Sequence, residues 1–225
     1  MANGGDDLMI FLSTGRLFMS DGARILVYDF PQGIVTDWDV TNRGVFQDSL
    51  ANFIIVNKIE PSPITFILSE QACFSKDIVI KEPEKLDEAT AMFLDAVPFN
   101  YVISKVYRVG SGVRVIAGNK DMIDSVAEVF EDKGFPLFAV VPAAIFPEVG
   151  SKAELDMQFV KAVSDNKVLI QTGNMVTPKA LPPEIAAEHS QPITTTKASS
   201  GFLPYLIGVG AIAIVVLIVL VMLRR

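Results

Sequence analysis

The stretch Val113–Phe135, VRVIAGNKDMIDSVAEVFEDKGF, decides the fold class. Its first part, Val113–Ala117, has the alternating pattern of a half-buried strand, whereas Asp121–Lys133 carries apolar residues at helical spacing. Gly134 follows at the position that favours a left-handed residue after a helix. The predicted apolar face of the helix contains Met122, Val126, Val129 and Phe130. A strand that leads into an amphipathic helix predicts an α/β domain.

The chain before this stretch predicts an antiparallel β region and then a helix. Turn sequences at residues 20–22 and 31–33, SDG and PQG, separate short β runs. From Thr41 the apolar period becomes helical, and Thr41 or Asn42 can cap the helix. Together with the α/β unit, these runs predict a mixed sheet with helices packed on it. The predicted strands here are Leu8–Leu12, Arg16–Met19, Arg24–Phe30, Ile34–Val40 and Ile64–Leu68.

Further elements are predicted on both sides of residues 113–135. Pro83 and the acidic residues after it favour a helix over Pro83–Ala96. Ser151 and Glu154 have the spacing of a capping box for a last helix. The glycines at 110 and 112 predict a hairpin between Tyr101–Val109 and Val113–Ala117. The other predicted strands are Phe74–Ile80, Phe138–Val141 and Val168–Gln171.

A run of twenty-two uncharged residues, FLPYLIGVGAIAIVVLIVLVML, occupies Phe202–Leu223. A helix of this length spans roughly 33 Å, enough to cross the hydrocarbon core of a bilayer. Tyr205 suits the near interface, and small residues such as Gly208 permit close packing of two such helices, so a homo-oligomer is a further expectation. The predicted organisation is a folded domain at 1–172, a flexible Pro-, Thr- and Ser-rich linker at 173–201 and one transmembrane helix at 202–223.

Composition limits the partners and the compartment. The formal net charge of −7 argues against a nucleic-acid surface. A single cysteine excludes an intramolecular disulfide, as is usual in a reducing compartment. The acidic N-terminal sequence does not have the pattern of a secretory signal, so we expect the domain in the cytoplasm. The positive-inside rule favours the opposite orientation, because Lys197 precedes the apolar run and Arg224 and Arg225 follow it. The orientation therefore stays open.

Few side chains suit catalysis. The single histidine, His189, lies in the predicted linker, so no histidine-based triad or usual zinc site is expected in the domain. Cys73 is expected to be a buried thiol, and Asp37 and Asp39 are expected on a solvated strand edge rather than in a carboxylate dyad. The turn Ser13–Arg16 resembles a phosphate-binding turn but has no carboxylate for magnesium. We therefore expect no enzyme, no cofactor and no metal.

Four pieces of the sequence have an order and spacing that resemble one family. The pieces are PQGIVTDWDV, ITFILSEQACFSKDI, LDAVPFNYVISKVY and VRVIAGNKDMIDSVAEVFEDKGF, within Ile10–Ala144. They resemble the first half of the actin-like domain of PilM, the type IV pilus assembly protein, and its relative in type II secretion, the GspL cytoplasmic domain. The resemblance implies a partial actin-like (ribonuclease H-like) lobe. The family's first phosphate loop carries an aspartate that MIFLSTGR lacks, and little folded chain is predicted after Pro147, so the resemblance implies a truncated, degenerate member that binds ATP poorly or not at all.

What the resemblance implies is a scaffold. PilM-like proteins dock a short cytoplasmic tail of an inner-membrane pilus protein, so a PilN-like tail and membrane lipid are the implied partners. We predict a non-enzymatic platform at the cytoplasmic face of a bacterial inner membrane, in a type IV pilus or type II secretion assembly. Docking is expected at Pro98, Phe99 and Tyr101 and the neighbouring sheet edge, with packing inside the lobe as the alternative reading of these residues. Two other hypotheses are a nucleotide-binding member that completes its site by dimerisation and a generic tail-anchored adaptor.

Overall fold

The described chain begins with five strands and continues with a mixture of helices and strands, as the sequence pattern predicts. The computed structural model describes residues 7–79, 85–147 and 149–176, all within the first of two units, residues 1–182. The strands are β1 (Leu8–Ser13), β2 (Arg16–Ser20), β3 (Ile25–Asp29), β4 (Val35–Thr36), β5 (Asp39–Val40), β6 (Ile64–Leu68), β7 (Cys73–Val79), β8 (Val102–Val109), β9 (Gly112–Asn119) and β10 (Leu137–Pro142). The helices are α1 (Arg43–Val56), α2 (Leu86–Asp95), α3 (Lys120–Glu131), α4 (Met157–Ser164) and α5 (Lys167–Gly173).

The central sheet has five strands in the order β10–β6–β1–β2–β3. β10, β6 and β1 are parallel, with Phe66 opposite Ile10 on one side and Val140 on the other. β2 and β3 continue the sheet in antiparallel pairing. The predicted mixed sheet in an α/β domain is confirmed.

Helices cover both faces of this sheet, because successive residues of a strand point to opposite faces. Ile10 and the other even-numbered residues of β1 pack with α1 and α3, where Phe46 and Phe130 are fully buried. Phe11 and Met9 pack on the other face with α4 and α5. A strand that is buried on both faces reads as a continuous apolar run, which is why LMIFL and ITFIL predict their strands so well.

Side-chain caps fix where the helices begin. The Asn42 side chain accepts a hydrogen bond from Val45 N at 3.1 Å, so Asn42 rather than Thr41 caps α1. For α4, the predicted capping box at Ser151 and Glu154 is wrong. The helix begins at Met157, and the Asp156 carboxylate accepts from Phe159 N at 2.7 Å. Asp156 also accepts from Lys152, and these contacts lower the pKa of its carboxyl.

Two predicted strands have a different structure. Val168–Gln171 lies inside α5, where Ile170 is buried and Val168 is 71% exposed. Ile34–Val40 is a short hairpin of β4 and β5, because Asp37 and Trp38 have positive φ values of 50° and 69° and turn the chain back. Asp37 therefore lies in a turn and Asp39 begins β5, so the two carboxylates do not share a strand face as expected.

A second, smaller sheet has the order β7–β9–β8, with antiparallel pairing throughout. The hairpin predicted between β8 and β9 is confirmed, and Gly110 has the positive φ, 54°, that such a turn requires. Helix α2 precedes β8 in the chain, and Pro83, its predicted first residue, lies outside the described residues. At the other end, the chain stays packed through Val176, although the linker was predicted to begin at residue 173.

Candidate docking site

The free edges of the three-stranded sheet expose apolar side chains. Among the described residues, β7 and β8 each pair only with the middle strand β9. Val106 on β8 is 43% exposed and Val79 on β7 is 68% exposed, whereas Val115 on β9, opposite Val106, is fully buried. Exposed strand edges with apolar side chains are surfaces on which another chain can add a strand.

A cleft of about 400 Å³ follows the end of β8. Five consecutive β8 residues, Lys105–Val109, line it, so the cleft runs along the strand and not only across one of its faces. Its opposite wall comes from α5 and from the short 3-10 turn Ala143–Ile145 after β10. We call this the β8 cleft. Its other lining residues are Arg114, Ile116, Ala144, Ile145, Leu169, Thr172 and Gly173.

Two β8 side chains join the walls of the β8 cleft. Lys105 Nζ donates to the backbone oxygens of Thr172 at 2.7 Å and Asn174 at 2.6 Å, and Tyr107 Oη donates to Gly173 O at 2.7 Å. The carbonyl groups at a helix C-terminus lack partners within the helix, and a lysine there also complements the helix dipole. These bonds therefore hold the three-stranded sheet against the end of α5.

The β8 cleft is positively charged. Lys105, Arg108 and Arg114 line it, and none of the described lining residues is a carboxylate. Arg114 forms a two-pronged pair with Asp77 of β7, at 2.6 and 2.8 Å, which lowers the pKa of the Asp77 carboxyl. In a chain with a net charge of −7, a cleft lined by Lys105, Arg108 and apolar side chains, with Arg114 already paired to Asp77, suits a segment that has both apolar and acidic groups.

The residues predicted for docking lie beside this sheet but not in the β8 cleft. Pro98, Phe99 and Tyr101 occupy the connection between α2 and β8, at the beginning of the strand, whereas the cleft lies along its end. Phe99 packs edge-on against Phe74, with ring centroids 5.4 Å apart, and Tyr101 is 64% exposed. Their role in docking stays a prediction. The sequence analysis predicted a neighbouring sheet edge but did not select Lys105, Tyr107, Arg108 or Arg114.

The turn that resembles a phosphate loop forms internal hydrogen bonds. Ser13 Oγ donates to Ala153 O at 2.7 Å and lies 3.2 Å from Gln71 Oε1, to which Thr14 Oγ1 also donates at 3.2 Å. Gly15 supplies the positive φ, 75°, that the tight connection between β1 and β2 requires. Both hydroxyl groups of this turn are therefore engaged within the domain.

The other predicted chemical groups are dispersed. Burial, and to a smaller extent the Glu70 carboxylate, raises the pKa of the Cys73 thiol to about 12, which makes this cysteine a poor nucleophile. Burial also raises the pKa of Tyr107. Within residues 7–79, 85–147 and 149–176, no group of three or more His, Cys, Asp or Glu side chains is placed to hold a metal ion.

The predicted membrane segment lies outside the part of the chain that the structure describes. This applies to Phe202–Leu223, including Tyr205 and Gly208, and also to His189 in the predicted linker. Among the helices that are described, none is both long enough and apolar enough to cross a bilayer.

Comparison with known proteins gives coarse likenesses of fold. No protein-family model matches the sequence, and no curated protein matches it. Among solved structures, the chain is similar to the PilM-PilN type IV pilus biogenesis complex, with a TM-score of 0.43, 14% identity, and coverage of 64% of this chain and 49% of that one. It is also similar to the cytoplasmic domain of EpsL, an inner membrane component of the type II secretion system of Vibrio cholerae, with a TM-score of 0.39 and 12% identity. That likeness covers 61% of this chain and 57% of the other, so this chain spans only about half the length of the proteins it matches.

Proposed function

We propose that this protein is a non-enzymatic scaffold that docks an extended segment of a partner protein along the β8 edge. The observation that carries the proposal is the β8 cleft, in which five consecutive residues of an edge strand face a cavity of about 400 Å³. A strand added there forms main-chain hydrogen bonds to β8, and its side chains enter the cleft at alternate positions.

The cleft chemistry supports a partner with apolar residues and at least one acidic group. Ile116, Ile145 and Leu169 supply apolar contacts. Arg108 supplies positive charge, whereas the charge of Arg114 is already paired with Asp77. Electrostatic complementarity of this kind acts mainly on specificity and on the association rate. Lys105 and Tyr107 donate to α5, so a peptide that binds here meets a wall that is already ordered.

The assembly we propose is an inner-membrane platform of a type IV pilus or type II secretion system. The support is the order of the four sequence pieces that resemble PilM and GspL, together with the uncharged run Phe202–Leu223. In this proposal the described domain is a partial actin-like lobe in the bacterial cytoplasm, the run crosses the inner membrane once, and a PilN-like tail occupies the β8 cleft. The internal hydrogen bonds of Ser13 and Thr14 favour this role over nucleotide binding.

The test uses sealed inner-membrane vesicles of known orientation. A photoreactive amino acid at Val109, in the β8 cleft, is compared with the same group at Val27, which is exposed on the central sheet. We expect protease protection to place the domain on the cytoplasmic side, and the Val109 probe alone to cross-link an inner-membrane pilus or secretion protein. Equal labelling from both positions, or a domain on the far side of the membrane, would contradict the proposal.

A further inference from the structure

The two faces of the three-stranded sheet differ in charge. Residues that lie opposite each other in antiparallel strands point to the same face, and successive residues of a strand alternate between faces. Tyr107, Arg114 and Asp77 lie opposite one another across β8, β9 and β7, so they share the face that lines the β8 cleft. Arg108 is the next residue of β8 and therefore points to the other face, which we call the outer face.

The strands place two cations and no carboxylate on the outer face. Of the described residues in β7, β8 and β9, only Asp77 has a carboxylate, and it lies on the cleft face, 2.6 Å from Arg114. The acidic first turn of α2 belongs to a helix that packs against β7, at the other edge of the sheet from β8. The outer face consists of Val102, Ser104, Val106 and Arg108 of β8, Val113, Val115, Ala117 and Asn119 of β9, and Phe74, Lys76 and Ile78 of β7.

Of the three cations that line the β8 cleft, Arg108 is the one whose charge is free. Lys105 donates to two backbone oxygens at the end of α5, and Arg114 is paired with Asp77. Within the described residues, the guanidinium of Arg108 forms no hydrogen bond or ion pair, and its side chain is exposed. A guanidinium presents its N–H groups in a planar fork that matches the two oxygens of a carboxylate. Arg108 is therefore available to a carboxylate of another chain.

Apolar side chains surround this free cation. Val106 precedes Arg108 by two residues on the outer face and is 43% exposed, whereas Val113, opposite Arg108 on β9, is buried. Val109, the next residue of β8 after Arg108, is 46% exposed and points to the cleft face. A strand that is added to the β8 edge thus meets one unpaired positive charge within a mainly apolar surface.

We propose that Arg108 selects the partner by binding a carboxylate directly opposite it in the added strand. The partner residues on either side of this carboxylate then lie opposite Tyr107 and Val109, where the cleft face requires apolar side chains. The partner residue two positions from the carboxylate lies opposite Val106 and is also apolar. The partner segment is therefore an extended run of apolar residues with one Asp or Glu inside it. This inference rests on the proposed function, because it describes the occupant of the same β8 edge.

The same contact sets the register of the added strand. A shift by one residue would move the carboxylate to the cleft face, away from Arg108. A shift by two residues would place it opposite Val106, and the next outer-face cation, Lys76, lies two strands farther, at about 10 Å. Only one register therefore pairs the carboxylate and also buries the apolar residues.

The first test adds charge reversals to the photoreactive group at Val109 in inner-membrane vesicles. We expect Arg108→Glu to reduce cross-linking of the partner about tenfold, because like charges then face each other. Lys76→Glu is the matched control: it changes the net charge equally, at an exposed position of the same face, and should leave cross-linking unchanged. Mass spectrometry of the labelled segment locates its carboxylate, and replacing that carboxylate with lysine should restore cross-linking to Arg108→Glu.

The outcomes of this test separate the inference from the proposed function. If the unaltered protein cross-links no pilus or secretion protein from Val109, the proposed function fails. If the unaltered protein does so and Arg108→Glu does so equally well, docking at β8 stands and the role of Arg108 is overturned. A labelled segment without a carboxylate would overturn it as well.

A second test uses defined peptides and the full-length protein in detergent micelles. The labelled probes are SVVEVVS, whose symmetry suits either strand direction, and SVVQVVS, which differs only in lacking the charge. We expect the glutamate peptide to bind about tenfold more tightly at low salt, and the difference to shrink as salt is added. Arg108→Gln should remove the difference, whereas Lys76→Gln should preserve it. Equal affinities in the unaltered protein, or binding of neither peptide, would overturn the inference.

Discussion

The two sheets of this domain use their side chains in opposite ways. All residues of β1 and β6 in the central sheet are buried. In the three-stranded sheet only the middle strand is largely buried, and β7 and β8 present apolar and basic side chains at open edges. The difference indicates that the central sheet supplies most of the stability, so recognition can evolve on the smaller sheet with little cost to folding.

The strongest test of this contrast is a truncation in the central core. Phe11 is fully buried and packs edge-on against Phe159, with ring centroids 5.1 Å apart. We expect Phe11→Ala to lower the free energy of unfolding by about 3–5 kcal/mol, because the cavity cannot close. Val109→Ala, on the open end of β8, should cost less than about 0.5 kcal/mol. Urea denaturation compares the two, and losses of similar size would refute the division of roles.

A second prediction concerns the bonds that join the sheets. Lys105→Met combined with Tyr107→Phe removes three hydrogen bonds to the end of α5 and should cost about 1–3 kcal/mol. The expected change is local: the Met175 amide, bonded to Val140 O, should exchange hydrogen faster, while amides in β1 and β6 change less. Lys76→Met, at an exposed β7 position, is the control. Faster exchange throughout the domain would mean that the two sheets unfold as one unit.

The third prediction uses Cys73 to report on burial at the beginning of β7. Burial raises the pKa of its thiol from 9.0 to about 12, so the folded state holds this proton more tightly than the unfolded state. The resulting stability is complete below pH 9 and is lost as the pH rises toward 12. Between pH 8 and pH 10.5 the wild type should lose about 1–2 kcal/mol more than Cys73→Ser, in which no thiol titrates. Parallel stability curves would show that the thiol is accessible to water.

The sequence predicted the central sheet well because its signals are local. The continuous apolar runs of β1 and β6 and the helical period of α3 need no tertiary information. α5 was missed because VLIQ is short and rich in apolar residues, which suits a strand equally well, and only its contact with the core favours a helix. The β4–β5 hairpin was missed because its left-handed turn contains Asp37 and Trp38 instead of glycine.

The candidate site was less predictable, for a different reason. Lys105 and Tyr107 are unremarkable in sequence, and their role depends on carbonyl groups 66 to 69 residues later in the chain. The one available signal was the alternation of Lys105 and Tyr107, which places both side chains on one face of β8. A cleft between two parts of a domain is a property of how they pack, and the sequence pattern of either part does not contain it.

The substitutions that we expect to change stability least provide the sharpest test of partner binding. Val106 on β8 and Val27 on β3 are 43% and 41% exposed, and both strands are sheet edges. Val106→Asp and Val27→Asp should each change the free energy of unfolding by less than about 1 kcal/mol, because neither side chain is in the core. A charge on an edge strand opposes the addition of another strand. If the β8 edge docks a partner, Val106→Asp should abolish its cross-linking in membranes while Val27→Asp leaves it unchanged. If only Val27→Asp abolished cross-linking, the partner would bind the β3 edge of the central sheet and not the β8 edge. The central sheet would then carry recognition, contrary to the division of roles argued above.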